Sequence, residues 1–296
     1  MKRTLYFGNP AYLSTKNEQL VVKINDTEER KIPIEDIAFV VLDNDRITLT
    51  KSILYKLTKN NTAVIITNEK HMPFGWLMPL EGNSTQSKTF QAQCSSSDAL
   101  KNRLWKQIIK AKIKNQSVLL KTQNINSSTL DIHAKKVTNG DLENREAQSA
   151  RYYWKHLFSP FNFKRERFGS SPNNLLNYGY SLLRALVGRG LVSSGLLPSI
   201  GLHHRNQYNS FPLADDFMEP FRPFVDEVVL NLALSNGENL SLTKQTKQKL
   251  LEIMSMDVYV NKQFHSLTNA VSLSTASLAR CILREETKLI FPTICP

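Results

Sequence analysis

Leu80-Glu81-Gly82-Asn83-Ser84-Thr85, directly after Pro79, is a polar run rich in breakers, and the hydrophobic period changes across it. Upstream, short β-rich segments at 4–7, 20–24, 37–42 and 63–66 alternate with turn-prone stretches such as Gly8-Asn9-Pro10 and Asn25-Asp26. One short helix, around 52–59, interrupts them. Downstream, apolar residues recur at helical spacing. The pattern predicts an α+β protein: a small N-terminal β-sheet domain over 1–80, a linker over 81–86, and a larger all-α C-terminal domain over 87–296.

Charge divides at the same place. Up to residue 85 there are 11 basic and 10 acidic side chains, and beyond it 27 against 16, so +11 of the net +12 lies in the helical part. A polyanion, nucleic acid or an anionic surface, is the partner such a surplus suits. With 41% hydrophobic residues the 296-residue chain builds a packed core and is not disordered. Cys94, Cys281 and Cys295 are odd in number and widely spaced, which argues against a disulfide framework or a thiolate zinc site and for a reducing cytoplasm. The run from Thr4 to Phe7 after Met1-Lys2-Arg3 is too short for a signal peptide, and no later run reaches the roughly eighteen apolar residues of a membrane span. A soluble cytoplasmic protein is expected.

Two basic clusters are candidates for the anion surface. Leu104, Trp105, Ile108, Ile109 and Leu119 share one side of a helix, and Arg103, Lys106, Lys110, Lys114 and Lys121 the other. A solvated outer face has the same spacing, but it ordinarily mixes in acidic residues for i to i+4 pairs, and none occurs between Asp98 and Asp131. Lys164-Arg165-Glu166-Arg167 follows Phe158, Phe161 and Phe163. It reads equally as a nucleic-acid contact, since arginine reaches phosphates and stacks on bases, or as a basic loop whose aromatics pack inward.

Three stretches hold the acidic and imidazole groups suited to phosphate chemistry. Glu143-Asn144-Arg145-Glu146-Ala147-Gln148-Ser149-Ala150 carries small residues that permit close packing beside Glu146. Gly201-Leu202-His203-His204-Arg205-Asn206 follows the break at Gly195 and Pro198. Asp215-Asp216-Phe217-Met218-Glu219-Pro220-Phe221-Arg222-Pro223 sets Asp216 and Glu219 at i to i+3, which on a helix points both carboxylates one way. A shared cation is one reason for such spacing, and an imidazole added to hard oxygen ligands moves the preference from magnesium towards manganese. Each piece also has a plain structural reading. Glu146 fits a surface helix near Arg151, the two histidines fit a turn, and Asp216 and Glu219 fit a local pair with Arg222 worth a few tenths of a kcal/mol. Pro220 and Pro223 are best tolerated in a first helical turn, where carboxylates are favourable without metal.

In their order along the chain these stretches, with Arg151-Tyr152-Tyr153-Trp154, Leu176-Asn177-Tyr178-Gly179-Tyr180 and Gly195-Leu196-Leu197-Pro198, resemble the CRISPR-associated integrase family, which inserts new spacers into CRISPR arrays. The resemblance covers nearly the whole chain. Arg3-Thr4-Leu5-Tyr6 through Pro10-Ala11-Tyr12-Leu13 is similar to that family's first β-hairpin. The resemblance implies a metal-dependent DNA endonuclease and integrase, with Glu146, His204 and Glu219 as catalytic ligands of Mg²⁺ or Mn²⁺ and Asp216 as a supporting carboxylate. His204 is preferred for its fifteen-residue distance to Glu219, with His203 as the substitute. It also implies a homodimer formed through the β-rich domain, a small ferredoxin-like CRISPR-associated partner dimer, and DNA as both fragment and repeat. The double histidine and the run to Asp226 are most similar to members from systems with a single RNA-guided effector nuclease, a further candidate partner. The three ligands are expected within roughly 2.0–2.6 Å of one ion. Two other readings compete: a non-catalytic nucleic-acid scaffold, and a small-molecule phosphodiesterase, which leaves the basic surplus unused.

Overall fold

Ile37 to Leu42 has no polar residue, so as a strand it is stable only when covered on both faces. In the computed structural model, which describes residues 3–24, 29–161, 163–204, 206–237 and 240–295, every residue of that strand is buried. The turn read at Asn25-Asp26 and Arg205 of the histidine stretch lie outside the described residues. The chain divides into two units, Met1–Gly82 and Asn83–Pro296.

The first unit runs β1 (Arg3–Phe7), β2 (Ala11–Lys16), β3 (Gln19–Lys23), β4 (Glu29–Pro33), β5 (Ile37–Leu42), β6 (Ile47–Leu49), α1 (Lys51–Lys59), β7 (Ala63–Thr67) and β8 (Pro73–Leu77). One sheet has the order β1-β5-β7-β8, with β1, β5 and β7 parallel and β8 antiparallel. The other has the order β4-β3-β2-β6. Leu13, Leu20 and Val22 of one sheet share a core with Val40 and Val64 of the other, closed by Ile53 and Leu57 of α1.

The small β-sheet domain is as read, and it holds two sheets, whose edge strands β4 (Glu-Arg-Lys-Ile-Pro) and β6 (Ile-Thr-Leu) carry too few apolar residues to register as strands in the sequence. One expectation is corrected: β1 and β2 do not form a hairpin. They belong to different sheets, β1 pairing parallel with β5 and β2 pairing with β3 and β6. The apolar β5 needs a neighbour on each edge and takes β1, while Gly8-Asn9-Pro10 carries the chain across to the second sheet.

The second unit runs α2 (Gln86–Cys94), α3 (Asp98–Thr122), α4 (Ser128–Lys136), α5 (Arg145–Leu157), α6 (Asn173–Ser193), α7 (Pro212–Met218), α8 (Arg222–Asn236), α9 (Lys244–Leu251), β9 (Asp257–Val260), β10 (Gln263–Ser266) and α10 (Leu267–Ile282). The larger part is helical, as read from the period, with one addition: β9 and β10 pair antiparallel. Their turn, Asn261-Lys262, has φ of 48° and 68°, the conformation a two-residue hairpin turn needs. α6 is apolar almost all round and buried along most of its length, the mark of a central helix. α8 approaches it closely at Gly179, where a Cβ would stand 2.5 Å from Val225 Cγ1. No helix among the described residues is long and apolar enough to cross a membrane. The three cysteines are free.

Candidate metal centre

α3 supplies the floor of the site. Its apolar side buries Leu104, Trp105, Ile108, Ile109 and Leu119, but Lys112, Asn115 and Gln116 are buried among them. Asn115 Nδ2 donates to the Pro220 carbonyl at 2.8 Å, tying α3 to the 3-10 turn Glu219–Phe221 that precedes α8. The turn places Glu219 just ahead of the positive end of α8.

Glu146 sits in the first turn of α5. Asp141 accepts the N–H of Arg145 at 3.0 Å and of Glu146 at 2.9 Å, and the Asn144 side chain accepts that of Ala147, so the free helix donors there are satisfied. From this fixed start the Glu146 carboxylate reaches Lys112 Nζ at 2.6 Å. Glu219 reaches the same nitrogen at 2.5 Å through Oε2, and Arg222 Nε stands 2.8 Å from its Oε1. The two sequence-read carboxylates therefore converge on one cation, and that cation is a lysine.

Asp216 holds the histidine loop and stands apart from the point the two glutamates share. Its two oxygens accept the backbone N–H groups of Leu202 (2.7 Å), His203 (2.8 Å) and His204 (3.3 Å), and Oδ1 also pairs with His204 Nδ1. A shared cation for Asp216 and Glu219 is thus corrected. The acceptors of Asp216 are spent on the 201–204 loop, and α7 ends at Met218 before Glu219. The loop folds this tightly because residue 201 is glycine: a Cβ there would lie 2.7 Å from the His204 carbonyl oxygen. Arg222 pairs with Glu219, whereas Asp215 pairs with Arg184 at 2.8 Å.

The two histidines part company. His203 stacks on Trp105, rings 4.3 Å apart and 2° from parallel, while His204 is oriented by Asp216. The Asp216 hydrogen bond, against some desolvation, raises the His204 pKa, with further help from the charges of Asp216, Glu219 and Glu146. Burial opposes the charge on Glu219, but Arg222 and then Lys112 outweigh it and hold the carboxyl below its ordinary range. Beneath them Asp226 is pushed up to about 6 by burial, although the hydroxyls of Tyr180 and Tyr153 both donate to it.

Among the described residues no group of three or more His, Cys, Asp or Glu stands ready to hold a metal. The donor set nevertheless fits a divalent ion. Two carboxylates meet at one point, Glu219 Oε2 is buried without an aligned hydrogen bond, and His204 has its Nδ1 held by a carboxylate, the arrangement that leaves Nε2 for a metal. Among the described residues, His204 does not join Glu146 and Glu219 in a ready three-ligand group.

The candidate DNA residues are placed unevenly. Arg103, Lys114 and Lys121 are exposed on α3 and Lys106 and Lys110 half-buried, with Lys121 paired to Asp131 at 2.8 Å. Lys164 pairs with Glu166 at 2.8 Å, and Arg167 lies over the Phe168 ring. Arg165 turns inward, donating to Asn173 and Asn177 at 2.9 Å each and lying over Trp154 and Tyr180. Phe158 packs against Phe161 and Phe163. Lys112, Asp141 and Gln116 were not singled out from sequence. Lys112 carried a signal, since it lies at i+4 from Ile108 and i+7 from Trp105 on the apolar side.

A family profile described as CRISPR associated protein Cas1 matches residues 5–255. A CRISPR-associated endonuclease Cas1 of Neisseria meningitidis serogroup C is 33% identical, over 99% of this chain and 97% of that one. A casposase bound to integration product shares the fold, with a TM-score of 0.78 at 22% identity over 98% of this chain and 92% of that one. So does a Cas6-RT-Cas1–Cas2 complex, with a TM-score of 0.73 at 20% identity over 97% of this chain and 35% of that one.

Proposed function

The chain belongs to the CRISPR-associated Cas1 family, and from that membership we propose that it is a metal-dependent DNA integrase and endonuclease of CRISPR adaptation. The 3′-hydroxyl of a short DNA fragment attacks a phosphodiester at the edge of a CRISPR repeat. A P–O bond forms to the fragment and the bond to the repeat strand's 3′-oxygen breaks. The proton lost by the attacking hydroxyl is matched by the one the leaving oxygen gains. One diester replaces another, so no covalent enzyme intermediate is needed.

Glu146, His204 and Glu219 would hold Mg²⁺ or Mn²⁺, which when bound supplies Lewis acidity at the scissile phosphate. The protein's own part is positioning and charge. Asp216 fixes the ring of His204, Arg222 braces Glu219, and Asp141 fixes the start of the helix that carries Glu146. The observation that carries the reading is the meeting of Glu146 and Glu219 at a single cationic point. The casposase fold, seen there with its integration product, supports the transfer chemistry.

The exposed basic side of α3 serves as a DNA surface, with Arg167. The β-rich unit serves in homodimerisation, and two dimers flank a dimer of the small ferredoxin-like partner. The structural likeness to a complex that includes Cas2 supports this assembly. An RNA-guided effector nuclease is a further partner, and the protein acts in the cytoplasm.

The test is strand transfer by purified protein with a labelled DNA fragment, a supercoiled array plasmid, the small partner and Mn²⁺ or Mg²⁺. Glu146→Ala and His204→Ala are expected to abolish joining while leaving DNA binding. Unchanged joining in both variants sinks the metal-site reading. A lysine already satisfying both carboxylates favours a non-catalytic scaffold as the second reading, and a wild type that binds DNA and never joins it would establish that one.

A further inference from the structure

Lys112 is a buried charge to which the proposed chemistry assigns no role. It is 8% exposed, on the side of α3 that otherwise packs Ile108, Ile109 and Ile113, where lysine is seldom found. Its ammonium is 2.6 Å from Glu146 Oε1 and 2.5 Å from Glu219 Oε2, so it fills the one point those carboxylates share. A divalent ion taking those two oxygens would meet a full positive charge at contact distance, so ion and ammonium exclude one another.

A second observation offers the ammonium another place. Lys112 and Gln116, one turn apart on α3, line the same cavity of about 250 Å³. Gln116 is 3% exposed, and its Oε1 is buried without a hydrogen-bond partner. A buried acceptor left unmatched is costly, and an ammonium one turn away is a donor of the right kind.

We propose that Lys112 is a two-position cation, holding Glu146 and Glu219 at the ion's place in the metal-free protein and moving into the cavity lined by Gln116 when a divalent ion enters. The proposal rests on the reading of Glu146 and Glu219 as ligands. Metal binding is then an exchange of one cation for another. The ammonium keeps two carboxylates together that would otherwise repel, so the site is pre-set. The same contacts lower the apparent affinity for the ion, because each binding event breaks them first.

Calorimetric titration of the full chain with MnCl₂, beside reductive methylation of lysines read by peptide mass spectrometry, tests this. Lys112→Met is expected to bind Mn²⁺ roughly tenfold or more tightly than the wild type, with a lower melting temperature when metal-free. Lys112→Arg, which keeps a cation at the point, is expected to retain the weak affinity. In the wild type, Lys112 is expected to resist methylation without Mn²⁺ and to label faster with it, since the amine is then released from the two ion pairs that hold it. Lys112→Met binding no more tightly than the wild type overturns the proposal. If that variant does not fold, the wild type decides alone: a chain that binds Mn²⁺ with no rise in Lys112 labelling overturns it equally. Failure of the underlying ligand reading looks different, because Glu146→Ala and Glu219→Ala would then bind Mn²⁺ as the wild type does, and both ideas fall together.

Discussion

Glu219 and Glu146 touch the same ammonium from different surroundings, and that difference predicts unequal effects. Glu219 is 5% exposed and pairs with both the buried Lys112 and the half-buried Arg222, so Glu219→Ala leaves Arg222 without its carboxylate and Lys112 with Glu146 alone, and is expected to cost about 3 kcal/mol in urea unfolding with EDTA present. Glu146 is half-buried and its loss leaves Lys112 paired to Glu219, so Glu146→Ala should cost clearly less and is the cleaner variant for activity. Equal losses would mean that the two carboxylates share the ammonium evenly. Asp226 makes a prediction in pH. With its carboxyl pushed up to about 6, the folded chain keeps a proton through a window from roughly 4 to 6 in which the unfolded chain has released it. The folded state binds more protons there, so this group's contribution to stability is best below about 4 and declines as pH rises through about 6, by about 3 kcal/mol at most. Asp226→Asn should flatten that decline, measured as the difference in unfolding free energy between pH 4.5 and pH 7. Glu146, His204, Asp216 and Glu219 were singled out in the sequence through the resemblance of the blocks that carry them, since each looks ordinary by itself. Lys112 was not read, because a lone lysine in a basic helix looks like one more solvated charge until its side of the helix is known.

α6 and α8 pack at a distance set by Gly179. A Cβ at that position would press to 2.5 Å on Val225 Cγ1, so Gly179→Ala is expected to destabilise by about 1–3 kcal/mol through overpacking. Val225→Ala removes the offending methyls, and the double variant should recover part of the loss. Additive losses in the double-mutant cycle would show that the two helices do not meet there. Elements with a strong hydrophobic period were readable: β5 as a continuous apolar run, α1 near its observed bounds, α3 from its apolar side, and the end of α6 from Gly195. Elements whose burial comes from non-local neighbours were not. β4 and β6 are short, with only weak apolar patterning of their own, and the separation of β1 from β2 depends on β5, some thirty residues away. β9 and β10 were hidden because a hairpin of two four-residue strands leaves little period to read. Asp216 and Glu219 show the same limit at the site. Their spacing suggested one shared face, and the change from α-helix to 3-10 turn after Met218 sent the two carboxylates to different partners.

The charge of the whole chain turns on which of its cations are free. Eight basic residues were candidates for DNA, and three of them are engaged within the protein: Lys121 by Asp131, Lys164 by Glu166, and Arg165 by Asn173 and Asn177. Among the described residues, Arg103, Lys106, Lys110, Lys114 and Arg167 have no carboxylate within ion-pair distance. Each free cation that meets a phosphate releases condensed counterion, so five contacts predict that log affinity falls with log salt at a slope of roughly 4–5 per chain. A homodimer that presents both copies to one duplex would double it. Fluorescence anisotropy on a labelled duplex between 50 and 200 mM salt, without metal, measures the slope on the intact protein. Lys110→Ala and Lys114→Ala are each expected to lower it by about one, whereas Lys121→Ala, whose charge is already matched by Asp131, should leave it nearly unchanged. A slope indifferent to Lys110 and Lys114 would move the DNA off α3 and onto another part of the +11 surplus, leaving the metal chemistry untouched. The converse result, a slope that falls with these lysines while Glu146→Ala still binds DNA and no longer joins it, separates the surface that holds DNA from the carboxylates that act on it.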